Sequence, residues 1–109
     1  MSWVAGALVF SGRPDPSWPV EDALGIELEQ LWLSLLPAVG EAGETPPPLG
    51  YRGCFLVAPD GRRWTAYRRR VALEVGALTE VRRDPETRFE ARVLASAPPG
   101  VLPPWVSSG

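Results

Sequence analysis

Three groups of residues carry the side chains with which this chain could do chemistry. The first is Ser11-Gly12-Arg13-Pro14-Asp15-Pro16-Ser17-Trp18-Pro19, where prolines at 14, 16 and 19 fix φ and hold a guanidinium, a carboxylate and an indole on a stiff backbone. Arg13 is suited to gripping a carboxylate or phosphate through two parallel hydrogen bonds, and Arg and Trp are the residue types that most often anchor interfaces. Arg13, Asp15 and Trp18 are therefore candidate binding residues. The competing reading of the same stretch is structural: a turn from strand to helix, with Trp18 plugging the core and Arg13 paired to Asp15.

The second group is Arg62-Arg63-Trp64-Thr65-Ala66-Tyr67-Arg68-Arg69-Arg70, five arginines interleaved with two aromatics. In composition it resembles surfaces that bind phosphates and stack bases. Side chains alternate along a strand, so three consecutive arginines cannot share one face, and Arg68 and Arg70 are the pair that can. They join the candidate binding residues. The third group is the lone Cys54, set between Gly53 and Phe55 with no His or Lys near to lower its pKa. That setting predicts a small buried hydrophobe rather than a nucleophile, with a native thiol that reacts slowly with a thiol reagent and quickly after unfolding.

The missing residues exclude more than the present ones suggest. The chain has no His, no Lys and no Asn, and every basic side chain is Arg. A Ser-His-Asp or Cys-His constellation, a lysine Schiff base and a P-loop cannot be built. One Cys without His gives no zinc set, and no Asp/Glu spacing matches an EF-hand loop, so no metal or cofactor is expected. The one cysteine cannot form an internal disulfide, which agrees with a reducing compartment.

The elements that must position these groups begin with a hairpin. Ala58-Pro59-Asp60-Gly61-Arg62 has Pro where a type I turn wants it and Gly where a left-handed residue must follow, between the strand-rich runs 51–57 and 63–67. A three-residue loop sets Leu56 against Trp64 and Cys54 against Ala66, with Phe55, Val57, Thr65 and Tyr67 on the other face; a two-residue loop would exchange the faces. Val71–Val75 reads as a continuation of that strand and Leu78–Arg83 as a weaker one. Ser2–Phe10 is apolar throughout, as in a strand covered on both faces.

Val20–Leu36 is the clearest helix, with Leu24, Leu28, Leu31, Trp32 and Leu35 on one stripe; Gly25 is its weak point, and Ile26, Leu33 and Leu36 widen the stripe beyond what one sheet face needs. Residues 38–50 form a loop with three consecutive prolines. Asp84-Pro85-Glu86 reads as the start of a second helix ending before Pro98, with Phe89, Val93, Leu94 and Ala97 on its apolar face. Val101, Leu102 and Trp105 of the tail could fold back on the core.

A chain of 109 residues with 45% apolar content has the size of one domain. Residues 1–97 are expected to form a single α+β domain, a mainly antiparallel sheet of about four or five strands with two helices packed on it, and residues 98–109 a Pro-rich tail. No apolar run reaches the ~18 to 20 residues of a membrane span, so no membrane partner is expected. The residues before the first turn lack a signal peptide's basic lead, which points to a soluble, cytoplasmic protein. The net charge of −2 hides an asymmetry: one Arg and seven acids in residues 1–50, ten Arg and six acids in residues 51–109.

The leading functional expectation is a non-catalytic binding module for another protein or a small anionic ligand, with Arg13, Asp15, Trp18, Arg68 and Arg70 as its surface. A small enzyme using carboxylates or Cys54 is the first alternative. An Arg-dependent nucleic-acid binder is the second, disfavoured by the acidic overall balance.

Overall fold

The computed structural model describes residues 2–9, 14–38, 51–103 and 106. Its centre is the hairpin of β4 (Cys54–Val57) and β5 (Arg63–Tyr67). Leu56 lies opposite Trp64 and Cys54 opposite Ala66, the register of the three-residue loop. The Ala58 N–H bonds to the Arg62 carbonyl at 2.9 Å, which closes the loop on Pro59, Asp60 and Gly61, and Gly61 takes φ +94°, a value that only Gly adopts cheaply. Cys54, Leu56, Trp64 and Ala66 are buried, while Phe55, Val57, Thr65 and Tyr67 on the opposite face are half-buried.

The sheet is larger than expected, with seven strands in the order β2 (Ser17–Val20), β1 (Trp3–Ala7), β4, β5, β6 (Arg70–Val75), β7 (Leu78–Arg83), β3 (Leu36–Pro37), every neighbouring pair antiparallel. The α+β class with two helices holds; the count of four or five strands is corrected, and three elements account for it. The run after Tyr67 does not continue as one strand. Arg68 and Arg69 reverse the chain, so that β6 (Arg70–Val75) pairs back on β5 with Arg70 opposite Tyr67. Ser17–Pro19, expected as loop, and Val20, expected as the helix start, form β2, paired with β1, so the helix expected over Val20–Leu36 is shortened at both ends. β2 is an edge strand, the place where Pro19 can lack an N–H without breaking a ladder. At the other edge the two residues of β3 (Leu36–Pro37) pair with β7 (Leu78–Arg83).

Both helices pack on one face of the sheet. In α1 (Asp22–Ser34) Gly25, Leu28 and Trp32 are buried and Leu24, Leu31 and Leu35 lean on the core, whereas Ile26 and Leu33 face outward. Gly25 is a point of contact rather than a weakness: a Cβ there would lie 2.2 Å from the Trp3 ring, which itself stacks on Trp64 with centroids 6.0 Å apart. Helix α2 (Arg88–Ala95) begins later than the Asp84-Pro85-Glu86 signal suggests, because residues 84–87 form a turn closed by the Thr87 N–H on the Asp84 carbonyl. Asp84 still caps the helix. Its buried carboxylate accepts the Arg88 N–H at 3.1 Å and the Phe89 N–H at 2.8 Å, satisfying two donors that a helix start leaves open.

Val101 and Leu102 pack against the core and Val106 is buried; Trp105 and the 39–50 loop lie outside the described residues. The charge asymmetry along the sequence closes partly on itself, since Arg62 pairs with Glu29, Arg92 with Glu27 and Arg52 with Asp15. No helix among the described residues is long and apolar enough to cross a membrane.

Candidate binding surface at one end of the sheet

Antiparallel connection fixes which residues meet at each end of the sheet. β1 and β5 run towards one end, β4 and β6 start from it, and β7 runs out into Asp84 there. That end therefore collects the β1–β2 loop with Asp15, the approach to β4 with Tyr51 and Arg52, the β5–β6 turn with Arg68 and Arg69, and the strand ends Tyr67, Arg70 and Arg83. Arg68, Arg69 and Arg83 are exposed, Arg52 and Arg70 half-buried. The rings of Tyr51 and Tyr67 lie between them, centroids 6.3 Å apart, and the Arg68 guanidinium sits 5.5 Å from the Tyr67 ring centre.

The turn that carries Arg68 and Arg69 is held from beneath. Arg68 takes φ +54°, left-handed backbone that costs a non-Gly residue on the order of 1 kcal/mol. Tertiary bonds offset it: the Asp84 N–H donates to the Arg69 carbonyl at 2.8 Å, and the Glu90 carboxylate on α2 accepts the Tyr51 hydroxyl and a hydrogen bond from the Arg68 backbone. Burial pushes the Glu90 carboxyl above its ordinary value, while the Tyr51 and Arg68 bonds pull it back. Burial, the neighbouring Cys54 and the bond to Glu90 push the Tyr51 phenol far up. Cys54 is fully buried and its Sγ lies 3.8 Å from the Glu90 carbonyl oxygen; burial raises its thiol, so it is packed as a small hydrophobe.

A raised carboxyl has a signed consequence for stability. Folded Glu90 holds its proton to higher pH than the unfolded residue does, so the unfolded chain gains relative stability as pH rises from the ordinary glutamate value towards the folded one. The stability of the native protein relative to Glu90→Gln should accordingly fall across that interval and level off above it. Parallel urea titrations of the two proteins from pH 4 to pH 7 read this directly, and a gap that widens in favour of Glu90 with rising pH contradicts it.

Of the residues singled out by sequence, Asp15, Arg68 and Arg70 share this end, and Arg13 lies outside the described residues. Asp15 accepts the Val9 N–H at 2.8 Å and stands 3.9 Å from Arg52. Trp18 is not on a surface loop: it is 3% exposed on β2, its indole N–H bonded to Ser96 Oγ at 2.9 Å, so it fills the core as the structural reading of that stretch has it. Arg70 stands opposite both Tyr67 and Arg83 on the sheet face away from the helices.

Sequence reasoning missed Tyr51, Arg52 and Arg69 as parts of one surface, since only the topology brings positions 51–52 beside 67–70. A cluster of Glu90, Tyr51 and Cys54 does converge, with the Tyr51 hydroxyl donating to the Glu90 carboxylate and the Cys54 thiol against the Glu90 carbonyl. Compared with known proteins, the chain matches no family model, no curated protein and no solved structure.

Proposed function

We propose that the domain is a non-catalytic interaction module that takes an acidic segment of another protein along this end of its sheet. The observation that carries the reading is the gathering of Arg52, Arg68, Arg69, Arg70 and Arg83 with two tyrosines at one end of a single sheet. From β4, which Arg52 precedes, to β7, which Arg83 ends, is three strand spacings, about 14 Å. That breadth suits carboxylates spaced along a chain better than one small anion, and Arg meets carboxylates with paired hydrogen bonds. Nucleic acid is a poorer fit. The tyrosine rings pack on each other and the Tyr51 hydroxyl is tied to Glu90, leaving them ill placed to stack bases, and the net charge is −2.

The test is anisotropy titration of a labelled oligoglutamate peptide, with inorganic phosphate as competitor. Wild type should bind saturably, more weakly as salt rises, and phosphate should compete poorly. Arg68→Ala with Arg69→Ala should lower affinity about tenfold, roughly 1.4 kcal/mol, without a large change in melting temperature. Arg92→Ala, whose guanidinium pairs with Glu27 on the helix layer, should bind as wild type does. Equal losses in both variants, or no saturable binding, would contradict the assignment.

A further inference from the structure

The face of the sheet away from the helices carries a pattern that runs from the arginine end across to Arg63, Glu74 and Thr79. Across four neighbouring strands one row reads Phe55, Thr65, Ala72, Val81, each opposite the next in register. Towards the arginine end the next row is Tyr67, Arg70, Arg83; on the other side it is Arg63, Glu74, Thr79. Val81 is 36% exposed and Leu36, beside Arg83 on the edge, is 65% exposed. Phe55 lies over Gly6, where a Cβ would fall 2.2 Å from its ring, and the Arg63 guanidinium stands 4.6 Å from its ring centre.

We infer that this face packs against the same face of a second copy, sheet on sheet, about a two-fold axis running along the Thr65–Ala72 row. A two-fold interface requires self-complementarity, because every residue off the axis meets the symmetry mate of another, and this face has it. Such an axis keeps each strand above its own copy but reverses its direction. On β6, with Ala72 at the axis, Arg70 of one copy then faces Glu74 of the other, and Glu74 faces Arg70. On β5, with Thr65 at the axis, Arg63 faces Tyr67, a cation and an aromatic ring. On β7, with Val81 at the axis, Arg83 faces Thr79.

The alternative two-fold, along β6, would set Arg70 against Arg70 and Glu74 against Glu74, and like charges oppose it. Small side chains at the axis let two sheets approach to the ~10 Å of a packed pair, with Phe55 and Val81 filling either side. Arg70 and Arg83 also interact within their own chain, so the second copy adds to contacts already present. Edge-to-edge pairing is the less suitable route, since β2 carries Pro19 and β3 is two residues long with Pro37.

Sedimentation velocity tests this on the full chain. At about 100 µM, where a micromolar association is saturated, wild type should sediment as a dimer. Arg70→Glu and Glu74→Arg should each weaken association by about tenfold or more, because each creates two like-charge pairs per dimer. The double variant Arg70→Glu/Glu74→Arg restores opposite charges in the same geometry and should return association to near the wild-type strength. Circular dichroism of all four proteins should match. A monomeric wild type, single variants that associate as wild type does, or a double variant no stronger than the singles each overturn the proposal. The Arg68→Ala/Arg69→Ala protein should dimerise normally while losing affinity for the peptide, which separates this assignment from the acidic-segment reading that shares Arg70 and Arg83 with it.

Discussion

Trp32→Ala should leave the protein largely unfolded or insoluble at room temperature. Trp32 is 2% exposed on the buried stripe of α1, and the Arg82 guanidinium lies 4.5 Å from its ring centre while donating to the Trp32 carbonyl at 3.0 Å. Removing the indole empties a core volume and strips Arg82 of its aromatic platform. Truncating a buried Trp costs about 3 to 5 kcal/mol, a large part of the ~5 to 15 kcal/mol that holds a domain together. A urea midpoint within experimental error of wild type would show that α1 does not bury this face.

Gly25→Ala tests the helix-to-sheet contact through its sign. Helix propensity alone says that Ala at a helix interior position gains up to about 1 kcal/mol over Gly. The packing says the reverse, because the new Cβ would sit 2.2 Å from Trp3 Cδ2, and the Trp3 ring is braced by its stack on Trp64. Overpacking of this kind costs about 1 to 3 kcal/mol, enough to cancel the propensity gain and leave a net loss. The urea midpoint should fall by an amount equivalent to about 2 kcal/mol or less, within that range. A higher midpoint than wild type would mean that the helix stands further from Trp3.

The parts of the fold that could be read in advance are those whose local chemistry is explicit. Pro59 and Gly61 announce the β4–β5 turn but leave two registers open; the Leu28 and Trp32 spacing announces α1; Asp84 announces the approach to α2. The β5–β6 turn could not be read, because Arg68-Arg69 has no Gly or Asn to signal positive φ and is held instead by Asp84 and Glu90 from distant sequence. Pro19 spoke against a strand, and only its place at an edge reconciles it with β2. Trp18 allowed two readings because stiffness of the backbone before it says nothing of which way the indole points. The proposed binding surface was visible as composition, in Arg68 and Arg70, but its extent to Arg52 and Tyr51 depends on strand order.

The most direct measurement of the central claim is a two-dimensional amide NMR titration of the wild-type protein with oligoglutamate. Saturating shifts should concentrate at residues 51–53 and 67–70, with smaller changes at Asp15, Arg83 and Asp84, and little at α1 or the 76–77 turn. Shifts centred on α1 or on the 76–77 turn, or scattered over every arginine without saturation, would contradict it.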